Sequence, residues 1–236
     1  MVGTTQKEDI QLNQEDLLSA TTSVVIGAAG FGNRLGMDMP KTLVSICGKP
    51  VLERQLEALT NVERVIVVVG YKADDVIALI RDVRPDVTVV HNPDFASTGT
   101  AASVALGAQA ASEFVVSLDG DLLVEEECLR SFINLPHECL GLIPTATDEP
   151  ICAKISDGTV TDLSQEWRSE WEWSGLVKMR REQALSLGRT HVFHGLVKYL
   201  PMSYTVVDCV ELDYPNDIDR ATEWIRSLEK RANHGP

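Results

Sequence analysis

The strongest constraint on this chain is a series of short, uninterrupted apolar runs, each followed by a segment with helical spacing. VVIGAA (Val24 to Ala29), RVIVVVG (Arg64 to Gly70), VTVV and FVVSLD are apolar without alternation. That marks strands buried on both faces, as in a parallel sheet. Between them, PVLERQLEALT puts Val51, Leu52, Leu56 and Leu59 at helical spacing, with Pro50 near its first position, where a missing N–H costs nothing. ADDVIALIRDV reads as a second helix, and GTAASVALGAQAAS (Gly99 to Ser112) as a third, built of small residues. The order βαβαβαβ predicts an α/β fold: a Rossmann-like, doubly wound, mostly parallel central sheet.

After a helix expected at Glu125 to Leu135 the pattern changes. Cys139 to Ala146, Ile151 to Ser156 and Thr159 to Leu163 read as short strands, the last two joined by an Asp157-Gly158 hairpin turn. A tryptophan-rich stretch follows, then a helix around His191 to Tyr199, a strand over Thr205 to Leu212, and a closing amphipathic helix, PNDIDRATEWIRSLEKR. We therefore expect residues 1–22 as a polar N-terminal extension and 23–236 as one domain, with a small β-rich acceptor lobe inserted at about 139–203.

Charge narrows the function. A formal net charge of −14 argues against a nucleic-acid partner, which needs a surplus of Lys and Arg. No apolar run is long enough for a membrane span, and the first residues lack the basic and apolar regions of a signal peptide. Five scattered cysteines without a CxxC fit reduced thiols, so the expected setting is cytoplasmic. In so acidic a chain, basic residues beside glycines mark an anion site.

Such a place is SVVIGAAGFGNRLGMDMPK, Ser23 to Lys41. Its glycines suit a dinucleotide loop, but that fold also wants an acid at the tip of the second strand, which here ends VVVGYK. Arg34, able to grip phosphate in bidentate fashion, and Lys41, a mobile point charge fixed behind Pro40, suit a triphosphate better. Glycines let backbone amides approach phosphate oxygens closely.

AAGFGNRLGMDMPKTLVSICGKPVLERQLEAL resembles the signature of the nucleotidyltransferases, the group of sugar-nucleotide pyrophosphorylases and cytidylyltransferases. Gly30, Gly32, Arg34, Pro40, Lys41, Gly48, Lys49 and Pro50 match in order. The resemblance implies Lys41 and Arg34 as catalytic residues. It implies Ala28, Ala29, Gly30, Phe31, Gly32 and Asn33, with Gly99 and Thr100 of the GTAAS segment, as nucleotide-binding. Asp121 in FVVSLDGDLLV matches the family's metal aspartate. VELDYPNDIDRA resembles the E-I-D segment of bacterial choline-phosphate cytidylyltransferases, which adds Glu211 and Asp213 as Mg²⁺ ligands. Two apart on a strand, they would share a face. Asp217 and Asp219 suit the cap of the final helix.

Three of four tryptophans fall in QEWRSEWEWSGLVKM. If that stretch is extended, Trp171 and Trp173 face one way and Glu170 and Glu172 the other. Aromatic faces and carboxylates are what an amine or quaternary ammonium seeks. Trp171, Trp173, Glu172 and Lys154 are thus the expected acceptor residues, in the lobe where the family places its acceptor. His191 and His194 have a spacing compatible with a shared metal, but no partner completes a zinc set, so packing is expected.

The resemblance implies a Mg²⁺-dependent cytidylyltransferase. It would join CMP from CTP to phosphocholine, phosphoethanolamine, 2-aminoethylphosphonate or 2-hydroxyethylphosphonate and release pyrophosphate. The alternatives are a sugar-1-phosphate nucleotidyltransferase, a glycosyltransferase using DGD as an Asp-x-Asp, and a non-catalytic nucleotide-binding module. The sequence carries no signal for an oligomeric state.

Overall fold

The computed structural model describes residues 21–32 and 35–233. The N-terminal extension up to residue 20, and the two candidate loop residues Asn33 and Arg34, lie outside them.

Thirteen strands and seven α-helices are named among the described residues. The first half runs β1 (Thr22–Ala28), β2 (Ser45–Ile46), β3 (Lys49–Pro50), α1 (Val51–Ala58), β4 (Arg64–Val69), α2 (Ala73–Val83), β5 (Thr88–His91), α3 (Thr100–Ala108) and β6 (Phe114–Asp119). Then come β7 (Leu122–Val124), α4 (Glu126–Ile133), β8 (Cys139–Pro144), β9 (Cys152–Ser156), β10 (Thr159–Ser164) and β11 (Trp171–Arg180). The chain closes with α5 (Arg181–Leu185), α6 (Val192–Leu196), β12 (Ser203–Val206), β13 (Cys209–Glu211) and α7 (Pro215–Asn233).

Nine strands form one mixed sheet, in the order β10-β9-β11-β6-β1-β4-β5, with β8 and β12 joined through β11. The expected α/β fold with a parallel core is what forms: β1 pairs in parallel with both β4 and β6, and β4 with β5. These are the apolar runs, and they are buried almost throughout. Helices cover both faces. Leu52 and Leu56 of α1, Val76 and Ile80 of α2, and Leu129 and Phe132 of α4 fill one side. Ala101 and Val104 of α3, Ala184 of α5, and Phe193 and Leu196 of α6 fill the other. Ala221 and Ile225 of α7 close a third cluster over Val44, Ile46, Leu123 and Val210.

β11 ties the second half of the chain into the sheet. Its C-terminal half lies between β6 and β8, and its first residues meet β8 and β9. The Asp157-Gly158 turn forms as expected, with both residues at positive φ. The single strand expected over Thr205 to Leu212 is two. The Val207 amide completes the pairing with Leu142, and the Asp208 carbonyl accepts from Glu125, which turns the chain onto β7.

One buried charge stands out. Lys178 on β11 is 0 % exposed. Its Nζ donates to the carbonyls of Ile133 and Leu135, both at 2.6 Å, and to Thr22 Oγ1 at 3.0 Å. Burial pushes its ammonium down to about 8, because the charged form loses its hydration.

Candidate active site

The chain winds from β1 outward through β4 and β5, then returns to place β6 on the other side of β1. Between β1 and β6 the strand order reverses, and a crevice opens beyond their carboxyl ends. The glycine loop leaves β1 there, and the Asp119-Gly120-Asp121 turn leaves β6. A hydrogen bond from the Gly120 amide to the Gly27 carbonyl, 3.1 Å, joins the two. Around them lies a cleft of about 1140 Å³.

Lys41 begins a short 3-10 turn, Lys41–Leu43, directly after Pro40. Its Nζ donates to Asp121 Oδ2 at 2.8 Å and also to Asp213 Oδ1. Burial alone would lower the Lys41 pKa. The charge and hydrogen bond of Asp121, joined by those of Asp213, outweigh it and hold the ammonium above the usual lysine range.

Three carboxylates converge on this lysine from distant parts of the chain. Asp121 sits in the turn into β7, and β13 pairs antiparallel with β7, placing Glu211 opposite Leu122. The Leu212 amide donates to the Asp121 carbonyl at 3.1 Å, which carries the chain across to Asp213. Glu211 is the last residue of β13 and Asp213 lies beyond it, so convergence comes from the turn and not from a shared strand face. Asp217 fixes that turn, its Oδ2 accepting from the amides of Asp213 and Tyr214, each at 2.8 Å. This is the capping role expected of Asp217.

One oxygen each of Asp121, Glu211 and Asp213 lie within 4.8 Å of one another. Burial, then the charges of Asp121 and Asp213, raises Glu211 well above the usual carboxylate range. Burial, then Asp121, pushes the neighbouring Asp119 up to about 7. A hard-oxygen donor set with crowded negative charge fits a divalent cation of the Mg²⁺ type. No histidine joins a metal-capable group among the described residues. His191 and His194 instead pack with Phe193, the His191 and Phe193 rings stacked at 6.3 Å.

The structure divides the other expected site residues. Ala28, Gly30, Phe31, Gly32 and Thr100 line the cleft. Ala29 is buried and accepts from the Tyr71 amide. Gly99 packs away from the cleft lining: its amide and that of Ala101 donate to the carbonyls of Arg189 and Thr190, and an added Cβ would meet the Thr190 oxygen at 2.2 Å. Those amides at the start of α3 are therefore spent on the fold and not on a nucleotide. Thr100 reaches the cleft, yet its hydroxyl accepts from Val192 N at 3.3 Å.

At the far end, Glu172 and Trp173 line the cleft, whereas Trp171 and Lys154 do not. The expected pair of rings over one ligand does not form. Trp171 begins β11, about 7 Å ahead of Trp173, and lines a separate open hollow with Lys154, Trp167 and Tyr204. Trp173 is 8 % exposed and its indole donates to the Leu176 carbonyl at 2.9 Å, so it forms a wall and not a cage. Glu172, 1 % exposed, accepts from Thr147 Oγ1 at 2.7 Å and from the amides of Ala146 and Thr147 at 3.3 Å. Its charge anchors the 145–149 loop, which forms the rim.

Two sets of contacts had no signal in the sequence: those of Gln55, and the ring packing around Phe31, itself an expected loop residue. Gln55 on α1, 3 % exposed, donates through Nε2 to the carbonyls of Asp119 and Leu122, both at 2.8 Å, and so clamps the turn that carries Asp121. Phe31 packs against Tyr71 and Phe95 at 5.0 and 5.2 Å, while Tyr71 donates to Asp38 at 2.5 Å. Those contacts hold the glycine loop against the end of β4.

Comparison with known proteins agrees with this geometry. The bifunctional protein GlmU of Neisseria meningitidis serogroup C (strain 053442) is 32% identical over 153 residues, covering 62% of this chain and 33% of GlmU. GlmU of Ruegeria sp. (strain TM1040) is 38% identical over 121 residues, 48% of this chain and 26% of GlmU. The chain thus spans about a third or less of the curated relatives it matches. Among solved structures, the CTP:phosphocholine cytidylyltransferase of Streptococcus pneumoniae (LicC) superposes with a TM-score of 0.72 at 20% identity, over 87% of this chain and 99% of that one. The inositol-1-phosphate CTP transferase of T. maritima gives 0.70 at 19%, over 89% and 96%. At those identities the likeness speaks for the fold. The match that decides kinship covers residues 24–188, from β1 through the glycine loop and Asp121 to the end of α5, and by it the chain belongs to the MobA-like NTP transferase domain family.

Proposed function

We propose that this chain is a Mg²⁺-dependent nucleotidyltransferase that transfers CMP from CTP to a small phosphate or phosphonate monoester. The observation that carries the reading is the meeting of Lys41 with Asp121 and Asp213 beside the glycine loop, in one cleft with Glu211. Likeness in fold to two enzymes named for CTP supports the choice of base.

The acceptor is already anionic at neutral pH, so no strong general base is needed. One of its oxygens forms a bond to the α-phosphorus as the bond to the bridging oxygen breaks, and pyrophosphate leaves with the electron pair. The difficulty is to bring two anions together, so positioning and charge neutralisation dominate. Lys41 and Arg34 offset charge on the triphosphate, and the amides of the 28–33 loop cradle its oxygens. Asp121, Glu211 and Asp213 would hold the divalent ion, which supplies Lewis-acid stabilisation to the phosphates when bound. Glu172 and Trp173 form the wall of the acceptor end.

A second reading, a sugar or polyol phosphate as acceptor, is favoured by the likeness to the inositol-1-phosphate enzyme. Incubating the protein with each NTP, Mg²⁺ and a panel of phosphocholine, phosphoethanolamine, aminoethyl- and hydroxyethylphosphonate, inositol-1-phosphate and hexose-1-phosphates, and following pyrophosphate, separates the two. The expected result is release with CTP and an amino- or hydroxyalkyl acceptor. Silence across the panel sinks the transferase reading.

A further inference from the structure

The acceptor end of the cleft poses an electrostatic problem. Asp119, Asp121, Glu211, Asp213, Asp217 and Glu172 all line the cleft, as do Asp148 and Glu149 of its rim, and a dianionic monoester must enter against their field. Lys41 stands at the glycine-loop end. Among the described lining residues one further arginine or lysine is present: Arg220, on the second turn of α7.

Its setting is that of a held but unsaturated cation. One terminal nitrogen, NH2, donates to the Glu211 carbonyl at 3.1 Å and lies 3.2 Å from Asp217 Oδ1. The other oxygen of that aspartate holds the amides of Asp213 and Tyr214, so one side chain sets both the turn and the arginine. Nε and the second terminal nitrogen have no hydrogen-bond partner among the described residues, and the side chain is 49 % exposed. A guanidinium fixed through one nitrogen keeps donors for a planar, two-point grip on phosphate oxygens.

Place decides which phosphate. Arg220 is anchored to the carbonyl of Glu211, the last residue of β13 and a member of the carboxylate trio. It shares the lining with Tyr214 and Trp224, and since Lys41 and the loop amides are assigned to the triphosphate, Arg220 is the lining cation left for the second anion. On the transferase reading above, we infer that Arg220 grips the phosphate or phosphonate group of the acceptor and turns its attacking oxygen toward the trio.

The test compares wild type, Arg220→Gln and Arg220→Lys. Gln retains an N–H for the Glu211 carbonyl but loses the charge; Lys retains the charge but not the fork. Inorganic phosphate and phosphoethanolamine are titrated by calorimetry with Mg²⁺ present, CTP is titrated separately, and turnover is then measured. The expected result is that Arg220→Gln weakens phosphate binding and raises acceptor KM by tenfold or more, with CTP affinity within twofold. Arg220→Lys recovers only part of the loss. Unchanged phosphate affinity in Arg220→Gln, no phosphate binding by wild type, or an equal loss of CTP affinity would each overturn the assignment. Phosphate binding that depends on Arg220, in a wild type that turns over none of the panel, sinks the transferase reading and leaves the anion grip standing.

Discussion

Lys41 and Asp121 stand 80 residues apart in sequence and meet at 2.8 Å, with Asp213 on the same ammonium. Both carboxylates belong to the trio that fits a divalent ion, so the lysine and that ion compete for the same oxygens. Lys41→Met should therefore tighten Mn²⁺ binding, roughly tenfold, as a unit positive charge next to the ligands is removed. The same change should lower turnover by about 100-fold or more, the scale of losing one transition-state donor. Titration followed by electron paramagnetic resonance, beside a pyrophosphate assay, reads both. Metal affinity that falls or stays level contradicts the competition.

Gln55 touches neither substrate nor the trio; it acts through the backbone. Its amide holds the carbonyls on both sides of Asp121, and replacing it with Met leaves two buried acceptors unmet. Stability should drop by about 2 kcal/mol or more. Mn²⁺ affinity should also weaken by roughly tenfold, the scale seen when outer groups that orient a ligand are lost. Denaturant unfolding and metal titration are separate readouts. Lost stability with unchanged metal affinity would make Gln55 a structural residue alone.

Lys178 predicts an unusual pH dependence. Burial puts its folded pKa at about 8, below the ordinary 10.5. Between those values the unfolded chain keeps a proton that the folded chain has released, so stability from this group rises with pH. The cost of burying the ammonium is present in full below about pH 8 and relieved by pH 10.5. The wild type should gain on the order of 3 kcal/mol over that window relative to Lys178→Met. Both proteins should carry Cys139→Ala, because the Cys139 thiol, which burial pushes up to about 11, is coupled to the Lys178 charge. Parallel stability profiles would show that the amine is not strained by burial.

The parts legible in the sequence are those written as local pattern. Four apolar runs became the parallel core, and the spacing of glycines, Pro40 and Lys41 marked the loop. Asp121, Glu211 and Asp213 were found by motif and do converge, although the hydrogen bonds to Asp217, and not strand alternation, bring the last one round. Pairings between distant side chains were not legible. Glu172 looked like a ligand for an amine, but its partners are the amides of a loop some 25 residues away. Gly99 looked like part of the nucleotide site, but Thr190 packs on it. Gln55 and Arg220 sit in ordinary helical patterns, and only the register of β7 and β13 gives them a role. Arg34 was legible as a motif residue and lies outside the described residues.

β11 has a mechanical meaning. It carries Glu172 and Trp173 on the cleft wall and runs on to pair with β6, the strand that ends at Asp119. Its register shifts between Trp173 and Val177, where Gly175 stands at φ +90° and an added Cβ would meet Asp119 Oδ2 at 2.8 Å. The irregularity brings the strand's backbone against the Asp119 carboxylate, so a side chain at 175 would press on the turn that carries Asp121. On the proposed function, acceptor specificity can change in the 145–149 rim, which hangs from Glu172, while position 175 is held to glycine.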